Sequence, residues 1–303
     1  MNKMRETLPK KVLIDTDLGD DVDDAAALIM ALNSPELEIV GITTVYLDSV
    51  KRAELVSELC GKYGRDDIPV CAGAACPLIE RPDPHTAPIQ YGILENSRKG
   101  QIITDLDGAD FIIRKVREHP DLTIMAIGCM TNLSIAFYRE PELMKQVDIL
   151  AMGGVFSGSS PEWNIKCDPE AARIVMDFAG HLKMFGLDVT KHCLIPDEMM
   201  DELCPDENER MQYFKRGIRI FREKTGYVYT FHDALLVAYL LDESICGMEK
   251  SDFTVELSGA YTRGAIVFHT NAYELHTDTG KDFHYAKSID TEKFRKLIKQ
   301  RIY

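Results

Sequence analysis

The chain has 303 residues, of which 45% are hydrophobic, and its formal net charge is −14. This charge makes a nucleic-acid backbone or an anionic membrane surface an unfavourable partner. No apolar run reaches the roughly 18 residues that a membrane helix requires, and the first eleven residues lack the apolar core of a secretion signal. The eight cysteines form no C-x-x-C pair, which indicates reduced thiols in a cytoplasmic enzyme rather than a zinc site.

Short apolar runs alternate with longer amphipathic runs over the first two thirds of the chain. The predicted strands are 11–16, 38–45, 68–71, 122–127, 147–152 and 182–187, and the predicted helices lie near 23–33, 49–62, 108–118, 132–139 and 169–179. This alternation predicts an α/β fold with an open, mainly parallel, Rossmann-like sheet flanked by helices. The last of these helices has Asp168 as its predicted N-cap, Pro169 at its first position and Gly180 at its end.

The remaining segments have weaker patterns. Residues 76–104 contain four prolines and no periodicity, so we expect a functional or mobile loop there. The pattern is helical over 196–241 and strand-like over 252–269. Because no linker, repeat or low-complexity tract interrupts the chain, residues 1–303 are predicted to form a single domain.

The most unusual stretch is DTDLGDDVDD at residues 15–24, in which six of the ten residues are aspartates. It joins the first predicted strand to the next helix, and doubly wound sheets bind ligands beyond the carboxyl ends of their strands. Carboxylates this close repel one another unless a cation or bound protons neutralise some of them. Since hard divalent cations prefer oxygen ligands, the stretch predicts a metal site.

A helix cap, an EF-hand loop and a phosphatase site fit this stretch less well. Helix capping accounts for one or two aspartates but not for six. An EF-hand loop needs glycine at its sixth position and glutamate at its twelfth, where this chain has Asp20 and Ala26. An aspartyl-phosphate (HAD-like) phosphatase also places D-x-D after a strand, although Gly19 stands where such enzymes usually have Thr or Val. The phosphatase stays open as an alternative, as does a non-catalytic calcium- or ribose-binding module.

DTDLGDDVDDAAAL closely resembles the N-terminal motif of the nucleoside hydrolases, the inosine-uridine-preferring family and its relatives. Further segments resemble other motifs of that family in the same order: Ile42-Thr43-Thr44-Val45, the G-x-x-T-N segment at 128–132, Met152-Gly153-Gly154, the E-aromatic-N segment at 162–164 followed by D-P-E-A-A at 168–172, and His232-Asp233. Together they span about 220 positions. The chain is therefore identified as a member of this family.

The resemblance implies a calcium-dependent N-ribohydrolase, which cleaves the N-glycosidic bond of a ribonucleoside with water and releases free base and ribose. It implies that Asp17 is the metal-bound general base and that His232 protonates the leaving base. The implied Ca²⁺ ligands are Asp17, Asp24, Asp233 and the main-chain carbonyl of Thr131. The implied sugar contacts are Asp23, Glu162 and Asn164, with Asp15 and Asp21 in supporting roles. Met152, Trp163 and Asp48 lie in or beside the matching segments and are further candidates for substrate binding. A homodimer or homotetramer is also implied.

Two of the chain's departures from the family pattern concern the predicted sugar contacts. The Asp loop is two residues longer than the shortest form, so Asp21 and Asp23 can exchange roles, and Asp23 is favoured because it directly precedes Asp24. Tyr46-Leu47-Asp48 replaces the Gly-Asn pair that follows the second strand. Asp48 either takes over the ribose contact of that asparagine, or the contact is absent. These differences concern the substrate more than the hydrolysis, so a purine, a pyrimidine and a modified base all stay open.

Overall fold

The computed structural model describes residues 8–95, 100–204, 208–269 and 280–302. The strands in these residues are β1 (Lys10–Thr16), β2 (Leu37–Thr44), β3 (Val70–Ala72), β4 (Ile102–Ile103), β5 (Thr123–Ala126), β6 (Asp148–Met152), β7 (His181–Phe185), β8 (Cys246–Lys250), β9 (Phe253–Val255), β10 (Ile266–Phe268) and β11 (Asp282–Ile289). The α-helices are α1 (Asp23–Leu32), α2 (Ser49–Lys62), α3 (Gly108–Glu118), α4 (Thr131–Arg139), α5 (Pro141–Met144), α6 (Trp163–Cys167), α7 (Pro169–Phe178), α8 (Leu187–Thr190), α9 (Asp197–Leu203), α10 (Glu209–Thr225), α11 (Ala234–Leu241) and α12 (Thr291–Arg301).

Nine strands form the central sheet in the order β4-β3-β2-β1-β5-β6-β7-β11-β8. Eight of them are parallel and only β8 runs antiparallel, against β11. The predicted mainly parallel α/β fold is therefore confirmed. The chain proceeds from β1 outward through β2, β3 and β4 and then continues with β5 on the other side of β1. The carboxyl ends of β1 and β5 thus flank a topological switch point, where sheets of this kind bind ligands.

Alternation along the buried strands supplies apolar side chains to both faces of the sheet. In β1, Val12 and Ile14 belong to one hydrophobic cluster, while Leu13 belongs to the cluster on the opposite face. The first cluster contains the almost wholly buried helices α1 and α11, which pack against each other. Because both helices are apolar nearly all round, each is fixed in the core and its first residues are held at the carboxyl edge of the sheet.

The predicted strands and helices agree with the observed ones to within two residues at most ends, and three longer segments contain more elements than their patterns indicated. The pattern over 196–241 contains three helices, α9, α10 and α11, since Gly226 ends α10 in a left-handed conformation. Residues 252–269 contain the antiparallel pair β9–β10. The loop at 76–104 contains a 3₁₀ turn at Tyr91–Ile93 and β4. Gly180, the glycine predicted at the end of α7, does not have a left-handed backbone. A glycine is needed there because an added Cβ would lie 2.4 Å from the Lys145 carbonyl oxygen.

Among the described helices, none combines the length and the apolar composition needed to cross a bilayer.

Candidate active site

The loop between β1 and α1 carries the aspartates around a sharp turn. Gly19 has a φ of 121°, which L side chains rarely adopt, and an added Cβ would lie 2.7 Å from the Cβ of Pro88. Thr16 donates from Oγ1 to Asp24 Oδ1 and accepts a hydrogen bond from the Leu18 N–H at 3.1 Å. Thr16 therefore connects the end of β1 to the start of α1 and orients the carboxylate of Asp24.

Three buried carboxylates come together where α1 and α11 begin. Asp23, Asp24 and Asp233 each offer one oxygen, and these oxygens lie within 4.8 Å of one another. Burial raises the pKa of all three carboxyls well above the ordinary value, and repulsion from neighbouring carboxylates adds to the shift. A buried set of oxygen donors fits a hard divalent cation such as Ca²⁺, which would offset this repulsion. Asp23, predicted to bind the sugar, thus lies in the same group as two of the predicted ligands.

Asp17 lies beside this three-carboxylate group, although it does not belong to it. Its charge adds to the raised pKa values of Asp23, Asp24 and Asp233. Burial raises the pKa of Asp17 itself to about 6, a shift that the nearby guanidinium of Arg52 opposes. The predicted role of Asp17 as a metal ligand and general base stays a prediction, and its position is compatible with both functions.

Arg52 on α2 supports the Asp loop from the interior, and the sequence prediction did not include it. Its guanidinium is fully buried. Nε donates to the Tyr46 carbonyl at 2.8 Å, Nη1 donates to the carbonyls of Asp17 and Leu18, and Nη2 pairs with Asp20 Oδ2 at 2.6 Å. One side chain therefore ties the Asp loop to the loop that follows β2. Its position on the apolar face of a predicted helix was the sequence signal that could have indicated a buried, functional arginine.

Tyr46 and Leu47, which stand where the family pattern has Gly-Asn, have an unusual backbone. Tyr46 and Leu47 have φ values of 72° and 54°, in the left-handed region that glycine and asparagine adopt more readily. Their N–H groups donate to the carbonyls of Ala74 and Ala75, both at 2.8 Å. Left-handed non-glycine residues cost about 1–3 kcal/mol each and persist only when the surroundings hold them. These bonds, together with Arg52, hold the strained turn.

Asp48 does not line the site. Its carboxylate caps α2 by accepting a hydrogen bond from the Lys51 N–H at 3.1 Å, and it pairs with Lys51 Nζ at 2.8 Å. The structure therefore does not support the predicted contact of Asp48 with the sugar, and it fits the alternative in which that contact is absent.

A cavity of about 470 Å³ opens over the carboxylates. Carboxylates and apolar side chains share its wall, which is formed by Asp17, Asp20, Asp21, Asp23, Asp24, Ile89, Ile127, Met152, Glu162, Trp163, Asn164, Leu187, Phe221, Thr225, Tyr227, His232 and Asp233. No lysine or arginine of the described residues lines it. A larger groove, of about 560 Å³, lies between α9 and α10 and contains none of these site residues.

Met152, the last residue of β6, lines the cavity together with Glu162, Trp163 and Asn164 from the segment that follows. Glu162 caps α6, since its Oε1 accepts from the Asn164 N–H at 2.9 Å. Its Oε2 accepts from the Gly154 N–H at 3.1 Å and so also holds the loop after β6. Burial raises its pKa to about 7. Asn164 Nδ2 donates to the carbonyls of Ile127 and Met152 at 3.1 and 3.3 Å. These bonds join the loops that follow β5 and β6, while the functions of the four residues stay predictions.

Thr131 lies outside the cavity, which corrects one predicted ligand. It begins α4, its hydroxyl donates to Asp168 Oδ2 at 2.6 Å, and its carbonyl accepts from Ser134 Oγ at 2.8 Å. A carbonyl at the start of a helix points along the axis toward the C-terminal end, and so away from the carboxylates. The structure therefore does not support the Thr131 carbonyl as a metal ligand. Ile127, directly after β5, lines the cavity instead.

The two supporting aspartates differ in their surroundings. Asp15 is fully buried outside the cavity, and its Oδ1 accepts from Thr43 Oγ1 at 2.5 Å and from Asn132 Nδ2 at 2.8 Å. It therefore joins the ends of β1 and β2 to α4. Asp21 lines the cavity, and its Oδ1 accepts from the Val22 N–H at 2.6 Å. Both placements are compatible with the predicted supporting roles.

We expect the metal-free protein to lose stability as the pH rises from about 4 to about 7. Burial raises the pKa of Asp17 from 3.8 to about 6 and that of Glu162 from 4.5 to about 7. Between these values the folded state binds more protons than the unfolded state, so the free energy of unfolding falls with rising pH. Thermal melting of chelated protein across this range measures the effect, and Glu162→Gln should reduce the slope. A melting midpoint that rises with pH would contradict the prediction.

Comparison with known proteins agrees with this geometry. The family model described as inosine-uridine preferring nucleoside hydrolase matches residues 12–296. An inosine-uridine preferring nucleoside hydrolase of Crithidia fasciculata is 31% identical over 320 residues, which cover 96% of each chain. A pyrimidine-specific ribonucleoside hydrolase of Citrobacter koseri is 30% identical over 312 residues, and this match covers 96% of this chain and 97% of the relative. The solved structure of a plant nucleoside hydrolase has a TM-score of 0.83 at 28% identity, covering 97% of this chain and 99% of its own. The chain therefore belongs to the inosine-uridine preferring nucleoside hydrolase family and is a hydrolase that acts on N-glycosyl compounds.

Proposed function

We propose that this protein is a calcium-dependent N-ribohydrolase, which cleaves the N-glycosidic bond of a ribonucleoside with water and releases free base and ribose. The observation that carries the proposal is the group of three buried carboxylates, Asp23, Asp24 and Asp233, on the wall of a cavity of about 470 Å³. A cavity of this size is typical of small-molecule sites. Relatives named as inosine-uridine preferring and pyrimidine-specific hydrolases support a ribonucleoside as the substrate.

The donor atoms favour Ca²⁺ over softer metals. Asp23, Asp24 and Asp233 would hold the ion, with Asp17 beside them and Ile127 on the same wall. The group contains only carboxylate oxygens, with neither a thiolate nor an imidazole, and such hard donors suit Ca²⁺. When bound, the cation supplies positive charge that offsets the carboxylates and attracts the vicinal hydroxyls of a ribose.

The side chains around the cavity have separate tasks in this proposal. Asp17 accepts a proton from the attacking water, since its carboxylate lines the cavity beside the three-carboxylate group. Breaking the glycosidic bond builds positive charge on the ribose ring, as in glycoside hydrolysis. Glu162 and Asn164 hold sugar hydroxyls, and the carboxylates stabilise the ring charge. His232 faces the leaving base and acts on it through its ring N–H. A single attack by water gives ribose with inverted configuration.

The charge of the cavity wall supports a nucleoside rather than a nucleotide. Seven carboxylates and, among the described residues, no lysine or arginine line the cavity, so a 5′-phosphate would be repelled. The other wall residues include Ile89, Leu187, Phe221 and Tyr227. Apolar and aromatic contacts discriminate weakly between bases, so purine, pyrimidine and modified bases all remain candidates.

Release of reducing sugar from a panel of substrates tests the proposal. The panel contains inosine, guanosine, adenosine, uridine, cytidine, modified-base nucleosides, 2′-deoxy analogues and 5′-monophosphates. We expect ribose release from one or more ribonucleosides, its loss on chelation and its return with added Ca²⁺. For the 5′-monophosphates we expect kcat/KM to be lower by at least about tenfold. Activity that survives chelation would contradict the calcium dependence, and absence of release from every substrate while Ca²⁺ is bound would favour a non-catalytic binding module.

A further inference from the structure

Thr190 and His232 form a buried pair at the cavity wall. Thr190 Oγ1 lies 2.9 Å from His232 Nδ1, and within the described residues neither side chain has another hydrogen bond. Thr190 is fully buried and lies behind the wall, whereas His232 lines the cavity. The Nδ1 edge of the imidazole therefore faces the protein interior, and the opposite edge, which carries Nε2, faces the space that a substrate would occupy.

The backbone fixes the distance between these two residues. Thr190 ends α8, which follows β7, and His232 lies just before α11. Between the two helices, the Ile195 N–H donates to the Tyr229 carbonyl at 2.9 Å and the Phe231 N–H donates to the Cys193 carbonyl at 3.1 Å. These bonds pair the segment that leaves α8 with the segment that enters α11. The threonine and the histidine are thus brought together by the fold.

We propose that Thr190 is a positioning residue, which holds the ring of His232 in place and keeps its hydrogen on Nε2, directed toward the leaving base. A neutral imidazole carries one N–H, and the partner of one ring nitrogen determines which nitrogen carries it. When the Thr190 hydroxyl donates to Nδ1, the hydrogen is on Nε2. This N–H then stabilises the negative charge that develops on the base as the C–N bond breaks.

The inference rests on the proposed function, in which His232 acts on the leaving base. It predicts an effect that depends on the leaving group. An ordinary nucleoside releases a poor leaving group that needs a donor, whereas 4-nitrophenyl β-D-riboside releases a phenolate that leaves without one. Loss of the Thr190 hydroxyl should therefore slow only the nucleoside. A threonine that served stability alone would affect both substrates equally.

Kinetics of Thr190→Val and Thr190→Ser on both substrates test this inference. For Thr190→Val we expect kcat on the best nucleoside to fall by about 10–100-fold, with KM nearly unchanged and the nitrophenyl riboside within about twofold. Thr190→Ser, which keeps the hydroxyl, should retain most of the nucleoside activity. Equal loss on both substrates, or no loss on the nucleoside, would overturn the inference.

His232→Asn separates this inference from the proposed function. If His232→Asn slows only the nucleoside while Thr190→Val does not, the role of His232 stands and that of Thr190 is wrong. If His232→Asn slows neither substrate, the assigned role of His232 is itself wrong. Imidazole ¹⁵N NMR of the unmodified protein supplies a readout that needs no variant. We expect His232 to have the hydrogen on Nε2, and a hydrogen on Nδ1 would overturn the inference.

Discussion

Asp17→Asn is expected to lower kcat by about a thousandfold, which is within the range typical of a lost general base. Asparagine keeps the shape of the side chain but cannot accept a proton from water. The assay is steady-state release of ribose at saturating Ca²⁺. Asp148→Asn is a matched control, because Asp148 is exposed at the start of β6, at the opposite edge of the sheet. The control should keep full activity. Retention of full activity by Asp17→Asn would show that another residue activates the water.

The stability of the same variant separates lost chemistry from lost folding. Burial raises the pKa of Asp17, and its charge also raises the pKa values of Asp23, Asp24 and Asp233. Removing that charge should therefore raise the melting midpoint of the metal-free protein near neutral pH. A variant that is inactive and more stable than the unmodified protein identifies Asp17 as a functional residue. A variant that is inactive because it folds poorly would instead have a lower melting midpoint than the unmodified protein.

Arg52→Met is expected to lower the free energy of unfolding by about 3–5 kcal/mol, because the loss of its fully buried guanidinium leaves several main-chain acceptors without a donor, at about 1–3 kcal/mol each. The change leaves the carbonyls of Tyr46, Asp17 and Leu18 and the carboxylate of Asp20 without their donor. We also expect weaker Ca²⁺ binding, because the loop that carries Asp17 loses its support. Chemical denaturation measures the first effect, and calorimetric titration with Ca²⁺ measures the second.

Two further variants show which contacts of Arg52 matter. Lys51→Met alters the neighbouring residue, whose ion pair with Asp48 lies at the surface and should contribute at most about 1 kcal/mol. Arg52→Lys keeps the charge but lacks the planar fork of donors, so its stability should be intermediate. If Arg52→Met is no less stable than Lys51→Met, the proposed support of the Asp loop by Arg52 is wrong.

The fold could be predicted because each strand and helix is indicated by the residues of its own segment. Each buried parallel strand appears as a short apolar run, and each covering helix has its own periodicity and often its own cap, such as Asp168 before α7. The motifs around Asp17, Glu162 and His232 were equally local, and the family match confirms the assignment that they suggested. It also excludes the phosphatase alternative. The prediction was incomplete over 196–241, where one helical pattern covers three separate helices. Helical periodicity shows that residues are helical, but it does not show where one helix ends and the next begins.

The amino-acid sequence by itself thus determined the order of the elements, the family and the residue types that can perform the chemistry. Only the tertiary structure decided which of these residues meet. Packing of α1 against α11 brings Asp233 to Asp23 and Asp24, although about 210 positions separate them in the chain. The helical start at Thr131 turns its carbonyl away from the site, and the pairing before α11 brings His232 to Thr190. These contacts depend on long-range packing and on the direction of single side chains, which local patterns do not specify.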